Sequence, residues 1–190
     1  MTAQRTEGAP ADGTEGSGTD DAAGAGAVVV HVAADADATR AYGRALAGVL
    51  RAGDLVVLTG PLGAGKTTFT QGLGEGLGVR GQVASPTFII ARVHPPLGAG
   101  PALVHVDAYR LGSLEELDAL DLDESLEDSV TVVEWGEGLA EVLSEDRLEV
   151  TITRPVGGAA GDDLEHADVG PRHVSVRGVG PRWAGVALPG

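Results

Sequence analysis

A run of strand length, Leu55-Val56-Val57-Leu58-Thr59, leads directly into Gly60-Pro61-Leu62-Gly63-Ala64-Gly65-Lys66-Thr67, and a helical period starts at once behind it. Phe69, Leu73 and Leu77 recur every four residues on one helical face, and Gly78 stands where a C-terminal cap glycine belongs. Strand, glycine loop and helix together read G-x-x-x-x-G-K-[ST], the pattern of a loop that cradles phosphates. Its glycines permit φ > 0, so backbone N–H groups can turn inward as a nest at the positive end of a helix. Lys66 is the only lysine among 190 residues, whereas arginine occurs twelve times. A slim ammonium can thread between phosphates where a forked guanidinium fits poorly.

The length predicts one domain with a proper core. Residues 1–27 hold Gly, Ala, Thr, Asp and Glu without an apolar period and are expected to be a disordered acidic tail, which leaves 28–190 as the phosphate-loop domain. Cysteine is absent, which excludes disulfides and thiolate metal sites and fits a reducing compartment. No apolar run approaches the ~20 residues of a membrane span, and the first residues lack a signal-peptide core. The expected location is cytoplasmic. A net charge of −15 argues against a broad nucleic-acid footprint, which needs a basic stripe, and leaves protein partners open.

Along the chain, Val28–Val32 reads as a strand, and Asp35 or Asp37 can cap a helix with apolar pairs Ala41/Tyr42, Ala45/Leu46 and Val49/Leu50, ended by Gly53. Ser85-Pro86-Thr87-Phe88 leads into a strand, and residues 94–101 form a turn to a second one, Ala102–Val106, as a hairpin. A short acidic helix is expected near Leu114–Leu120, a strand at Val130–Val133, and a short helix about Leu139, Val142 and Leu143. Strands at Leu148–Thr153 and His173–Arg177 flank a Gly- and Asp-rich loop at 155–171. The sum is an α/β chain: a three-layer P-loop fold with a mixed, mainly parallel sheet.

Hydrolysis at such a loop also needs a metal-directing carboxylate and a group that orients water. Two predicted strands end in an acid, at Asp107 and at Glu134, and both would emerge at the carboxyl edge of the sheet beside the phosphates. Either can hold Mg²⁺ while the other polarises water, or one of them can merely cap a neighbouring helix or loop. Thr67 supplies a hydroxyl for Mg²⁺. Thr87 stands where switch proteins carry a γ-phosphate-sensing hydroxyl, although a plain Ser-Pro turn is an equal reading. Adenine is the expected base: guanine readers use Asn-Lys-x-Asp, and the chain has no asparagine. The Leu-Ser-Gly-Gly-Gln signature of transporter ATPases is missing too. The acidic run from Glu115 to Asp128 fails the EF-hand pattern, with Leu126 at the glycine position, and reads as a solvated face able to dock a basic partner. The histidines lack metal-ligand spacing, and His105 is expected to be a structural hydrogen-bonder on a strand near the site.

Four motifs in order, Gly-Pro-Leu-Gly-Ala-Gly-Lys-Thr-Thr, Ser-Pro-Thr-Phe, His-Val-Asp-Ala-Tyr-Arg and Val-Glu-Trp, together resemble the TsaE (YjeE) family, with the likeness spanning about Val28 to Leu188. That resemblance implies an ATPase with ATP and Mg²⁺ as cofactors, acting in tRNA threonylcarbamoyladenosine synthesis. Its partners would be the TsaB and TsaD proteins, with tRNA met only indirectly through them. It implies that Gly60, Leu62, Gly63, Ala64, Gly65, Lys66, Thr67, Thr68, Thr87 and Trp135 bind nucleotide, with Thr39 beside them. Lys66 and Asp107 are then catalytic, Asp107 acting on water, while Thr67 and Glu134 ligate Mg²⁺. Tyr109 and Arg110 fall in the same motifs. Asp121, where the family often has Gly, and Pro61, where some members have Asp, depart from the pattern without touching the phosphate chemistry. A P-loop small-molecule kinase and a slow nucleotide-gated binding module are the competing readings.

Overall fold

A computed structural model describes residues 25–86, 90–111, 113, 115–116, 126–138, 140–154 and 170–190. In chain order its main elements are β1 (Ala25–Ala33), α1 (Ala36–Ala47), β2 (Leu55–Thr59), α2 (Lys66–Leu77), β3 (Ala91–His94), β4 (Ala102–Asp107), β5 (Ser129–Glu134), β6 (Arg147–Thr153) and β7 (Arg172–Val179). Among the described residues these strands form one 7-stranded sheet, in the order β1-β7-β6-β2-β5-β4-β3. β6, β2, β5 and β4 are the parallel core; β7 pairs antiparallel with β6, β1 pairs antiparallel with β7 and so runs in the core direction, and β3 pairs antiparallel with β4. This is the mixed sheet expected from the sequence.

Burial explains the patterning. β2, β4 and β5 are covered on both faces and are buried almost without a break, whereas β6 and β7 bury alternate residues only. On one face Tyr42 and Leu46 of α1 and Phe69 and Leu73 of α2 pack on Val56, Leu58, Val130, Leu148 and Val150. On the other face Val57, Val104, Val106 and Val133 meet Ala108 and Ala140, with Leu111, Leu126 and Leu143 partly buried against them. Helices, sheet and this second cover make the three layers.

Asp35 caps α1, accepting from the Ala38 N–H at 2.8 Å. The helix ends at Gly48, before the expected Gly53, because its last turn tightens into i→i−3 bonds from Val49 to Leu46 and from Leu50 to Ala47. β1 begins at Ala25, ahead of the expected Val28, with a register shift between these two residues. The β3–β4 hairpin forms as expected. Of the acidic helix, Glu115 and Glu116 are described as helical and the rest lies outside the described residues, as do residues 1–24 of the tail and 155–169 of the long loop. The turn near Leu139 is a 3₁₀ helix, Ala140–Val142.

The end of β2 opposite the glycine loop is held by a buried ion pair. Arg182 donates to both oxygens of Asp54, at 3.0 and 2.9 Å, and to the Val49 carbonyl at 2.9 Å. Its guanidinium also stacks on Trp183, 4.2 Å from the ring centre. Removing one member of a buried pair strands the other, so Arg182→Ala should lower unfolding stability by about 3 kcal/mol, read as a reduced urea midpoint.

Candidate phosphate-binding site

Gly65 is the residue on which the loop becomes α2. It caps the helix in the left-handed region, φ 107°, and glycine enters that region without a Cβ penalty. Unlike α1, α2 has no side-chain cap and no acid in its first turn, so the N–H groups of its amino end remain available to an external anion. Gly78 closes the other end in the left-handed region, φ 67°, as its position predicted.

Lys66 is 5% exposed and bends back over its own loop: Nζ donates to the Gly60 carbonyl at 2.8 Å and the Pro61 carbonyl at 3.2 Å. The ammonium lies 3.9 Å from the ring centre of Trp135. Burial pushes its pKa down from the ordinary lysine value, while the charges of Glu134 and Asp107 oppose that shift. Trp135 takes φ 60°, a left-handed conformation that costs a non-glycine residue ~1–3 kcal/mol and is characteristic of functional sites. The Tyr109 ring meets the Trp135 ring edge-on, with centres 5.4 Å apart.

Parallel pairing sets Asp107 of β4 directly beside Glu134 of β5, so both carboxylates reach the same edge of the sheet. They differ in what they touch. Asp107 Oδ1 accepts from the Tyr109 N–H at 3.1 Å and caps the 3₁₀ helix Ala108–Arg110, so the capping role does apply to it. Glu134 Oε1 accepts from the Thr67 hydroxyl at 3.4 Å and lies 2.8 Å from His105 Nε2. Between these acids and the loop is a cleft of about 450 Å³, a size suited to a small ligand.

Leu62, Gly63, Ala64, Gly65, Lys66, Thr67, Thr68, Asp107, Glu134 and Trp135 all line this cleft. Gly60 contributes its carbonyl to Lys66 from beneath the loop. Thr39 is fully buried and its hydroxyl donates to the Asp35 carbonyl; its methyl lies 3.9 Å from where a Cβ on Gly65 would stand, behind the loop. Thr87 lies outside the described residues. Ser85 lines the cleft without having been singled out, and Arg154 donates to the Gly63 carbonyl at 2.7 Å. Arg172, a buried guanidinium bonded to the Gly170 carbonyl, brings its Nε to 3.8 Å from the same Cβ position on Gly65. No local pattern marks the two arginines, because strands distant in sequence deliver them.

A glycine loop between a central parallel strand and a helix, with two acids at the carboxyl ends of neighbouring strands, defines a P-loop protein of the α/β class. A family model described as threonylcarbamoyl adenosine biosynthesis protein TsaE matches residues 33–158. The chain belongs to the TsaE family. It is 66% identical over 146 residues to the "tRNA threonylcarbamoyladenosine biosynthesis protein TsaE" of Streptomyces coelicolor, covering 76% of this chain and 93% of that one. The Bacillus subtilis protein of the same name is 39% identical, with 76% and 82% covered. A crystal structure described as Bacillus subtilis YdiB superimposes with a TM-score of 0.61 at 33% identity, covering 83% of this chain and 90% of that one. Among the described residues no helix is long and apolar enough to cross a membrane.

Proposed function

We propose that this chain is the ATP-hydrolysing subunit of the machinery that makes tRNA threonylcarbamoyladenosine, and that it engages the TsaB–TsaD pair. The observation that carries the chemistry is the convergence of Lys66 and Thr67 on Glu134 and Asp107 across one cleft. The pathway rests on family membership and on the names of the relatives. The partners rest on the family resemblance, and the net charge of −15 fits a subunit that leaves the tRNA mostly to others.

The side chains fit a magnesium ion shared with nucleotide phosphates. The donors facing the cleft are a hydroxyl and carboxylates, the hard oxygen ligands Mg²⁺ takes. Among the described residues no cluster of three His, Cys, Asp or Glu side chains could hold an ion, so phosphate oxygens would complete the set. Thr67 and Glu134 would hold the ion, which when bound would neutralise charge on the transferring phosphoryl group. The loop N–H groups and Lys66 hold phosphate, and Asp107 orients water with the oxygen not engaged by Tyr109.

Hydrolysis by the purified chain, with and without TsaB–TsaD and with Lys66→Ala as the blank, tests this reading. A partner-dependent change in rate that vanishes in the blank is expected. Hydrolysis indifferent to the pair would remove the support for the assembly. Tryptophan emission is a second check: phosphate drawing Lys66 off the Trp135 ring should change emission in wild type and in Trp183→Phe, but not in Trp135→Phe.

A further inference from the structure

His105 is wholly buried on β4, and its Cα partners are Val132 of β5 and Arg92 of β3. Glu134, two residues beyond Val132, is its diagonal neighbour on the same face of the sheet. Leu103, Val130 and Val132 beside it on that face are fully buried hydrocarbon, while Arg92 and Asp107 share the face on its other sides. Its Nδ1 has no hydrogen-bond partner among the described residues, and such a buried polar atom costs ~1–3 kcal/mol. A leucine or valine would pack without that cost. What the histidine offers in return is one contact, Nε2 to Glu134 Oε1 at 2.8 Å. An ionised carboxylate can only accept, so against the Glu134 carboxylate Nε2 is the donor. Both described bonds to the Glu134 side chain, from His105 and from Thr67, fall on Oε1, and Oε2 takes part in neither.

We propose that His105 is a positioning residue for the divalent cation: by donating to Oε1 it holds the Glu134 carboxylate in one orientation and leaves Oε2 to the ion. This rests on the reading of Glu134 as a metal ligand. Partners that orient a metal's ligands typically matter 10–100-fold in metal affinity, even though they never touch the ion.

The test is Mn²⁺ affinity by electron paramagnetic resonance at saturating ADP, a readout independent of turnover. It compares wild type with His105→Leu, His105→Gln and Glu134→Ala. His105→Leu should weaken Mn²⁺ binding about 10-fold or more. His105→Gln, whose amide nitrogen reaches close to the place of Nε2, should recover most of that loss. Binding of mant-ADP in EDTA reads the loop without the metal and should change little. Wild-type Mn²⁺ affinity in His105→Leu, with a loss in Glu134→Ala, overturns the role of His105 alone. No loss in Glu134→Ala overturns the metal-ligand reading and the proposal with it. Should His105→Leu fail to fold, ¹⁵N NMR of the wild-type imidazole decides. A proton on Nε2, and a resonance that moves with Mg²⁺–ADP but not with ADP, supports the assignment; an Nε2 without a proton, or indifference to Mg²⁺, overturns it.

Discussion

Lys66→Ala is expected to lower ATP hydrolysis at least ~100-fold, the scale of losing one preorganised charge at a reacting oxyanion. The free protein should nevertheless fold as before. Lys66 is not a core anchor: its ammonium is held by two loop carbonyls and an indole face, and burial disfavours its charge. Losing it should change unfolding stability by less than about 1 kcal/mol. What should disappear is stabilisation by ligand, which amounts to about 2.7 kcal/mol for a nucleotide present at a hundred times its Kd. Thermal unfolding with and without ATP–Mg²⁺ checks both halves. An intact ligand-induced shift together with wild-type hydrolysis would sink the assignment of the loop.

Gly72→Ala is expected to be the most damaging small substitution in the helical layer. Alanine normally favours a helix over glycine by about 1 kcal/mol. Here a Cβ would overlap the Arg40 carbonyl oxygen and come 2.9 Å from its carbon and 3.1 Å from the Arg40 Cα. These are backbone atoms of α1, so relief requires the two helices to part. Gly43 faces the same seam, and a Cβ there would overlap the Phe69 carbonyl oxygen and meet the Leu73 nitrogen at 3.2 Å. Parting the helices would also disturb Arg40–Gln71 at 3.1 Å and the Arg44–Glu75 pair. Overpacking of this kind costs ~1–3 kcal/mol and more where backbone must move, so a net loss of about 2–4 kcal/mol is expected from urea unfolding. Gly78→Ala provides the contrast: nothing lies within 4 Å of its Cβ position, so only the left-handed φ opposes the change. It should cost about 1 kcal/mol. Equal losses at the two sites would show that α1 yields freely.

The strand–loop–helix unit was legible because its signals are local. Apolar runs name β2, β4 and β5, Gly65 and Gly78 bracket α2, and the motif order identifies the family. Helix α1 was legible in its start but not in its end, since whether Val49 and Leu50 continue in α or i→i−3 bonds is settled by packing rather than by their apolar spacing. Asp107 and Glu134 were visible as acids at strand ends, but their division of labour was not. The cap that Asp107 gives the Tyr109 N–H lies within two residues, but nothing local tells that Glu134 meets Thr67.

By itself, the sequence determined the glycine loop and the two acids, which are local patterns, and the α/β class and the family, which follow from the order of such local patterns along the chain. Only the tertiary structure decided that Asp107 and Glu134 stand side by side, that His105 reaches Glu134, that Arg154 and Arg172 approach the loop, and that Gly72 lies against Arg40. Each of those contacts follows from strand register or helix crossing between segments far apart in the chain. Register is fixed by the burial of whole faces at once, and no local residue pattern records which partner that burial will select.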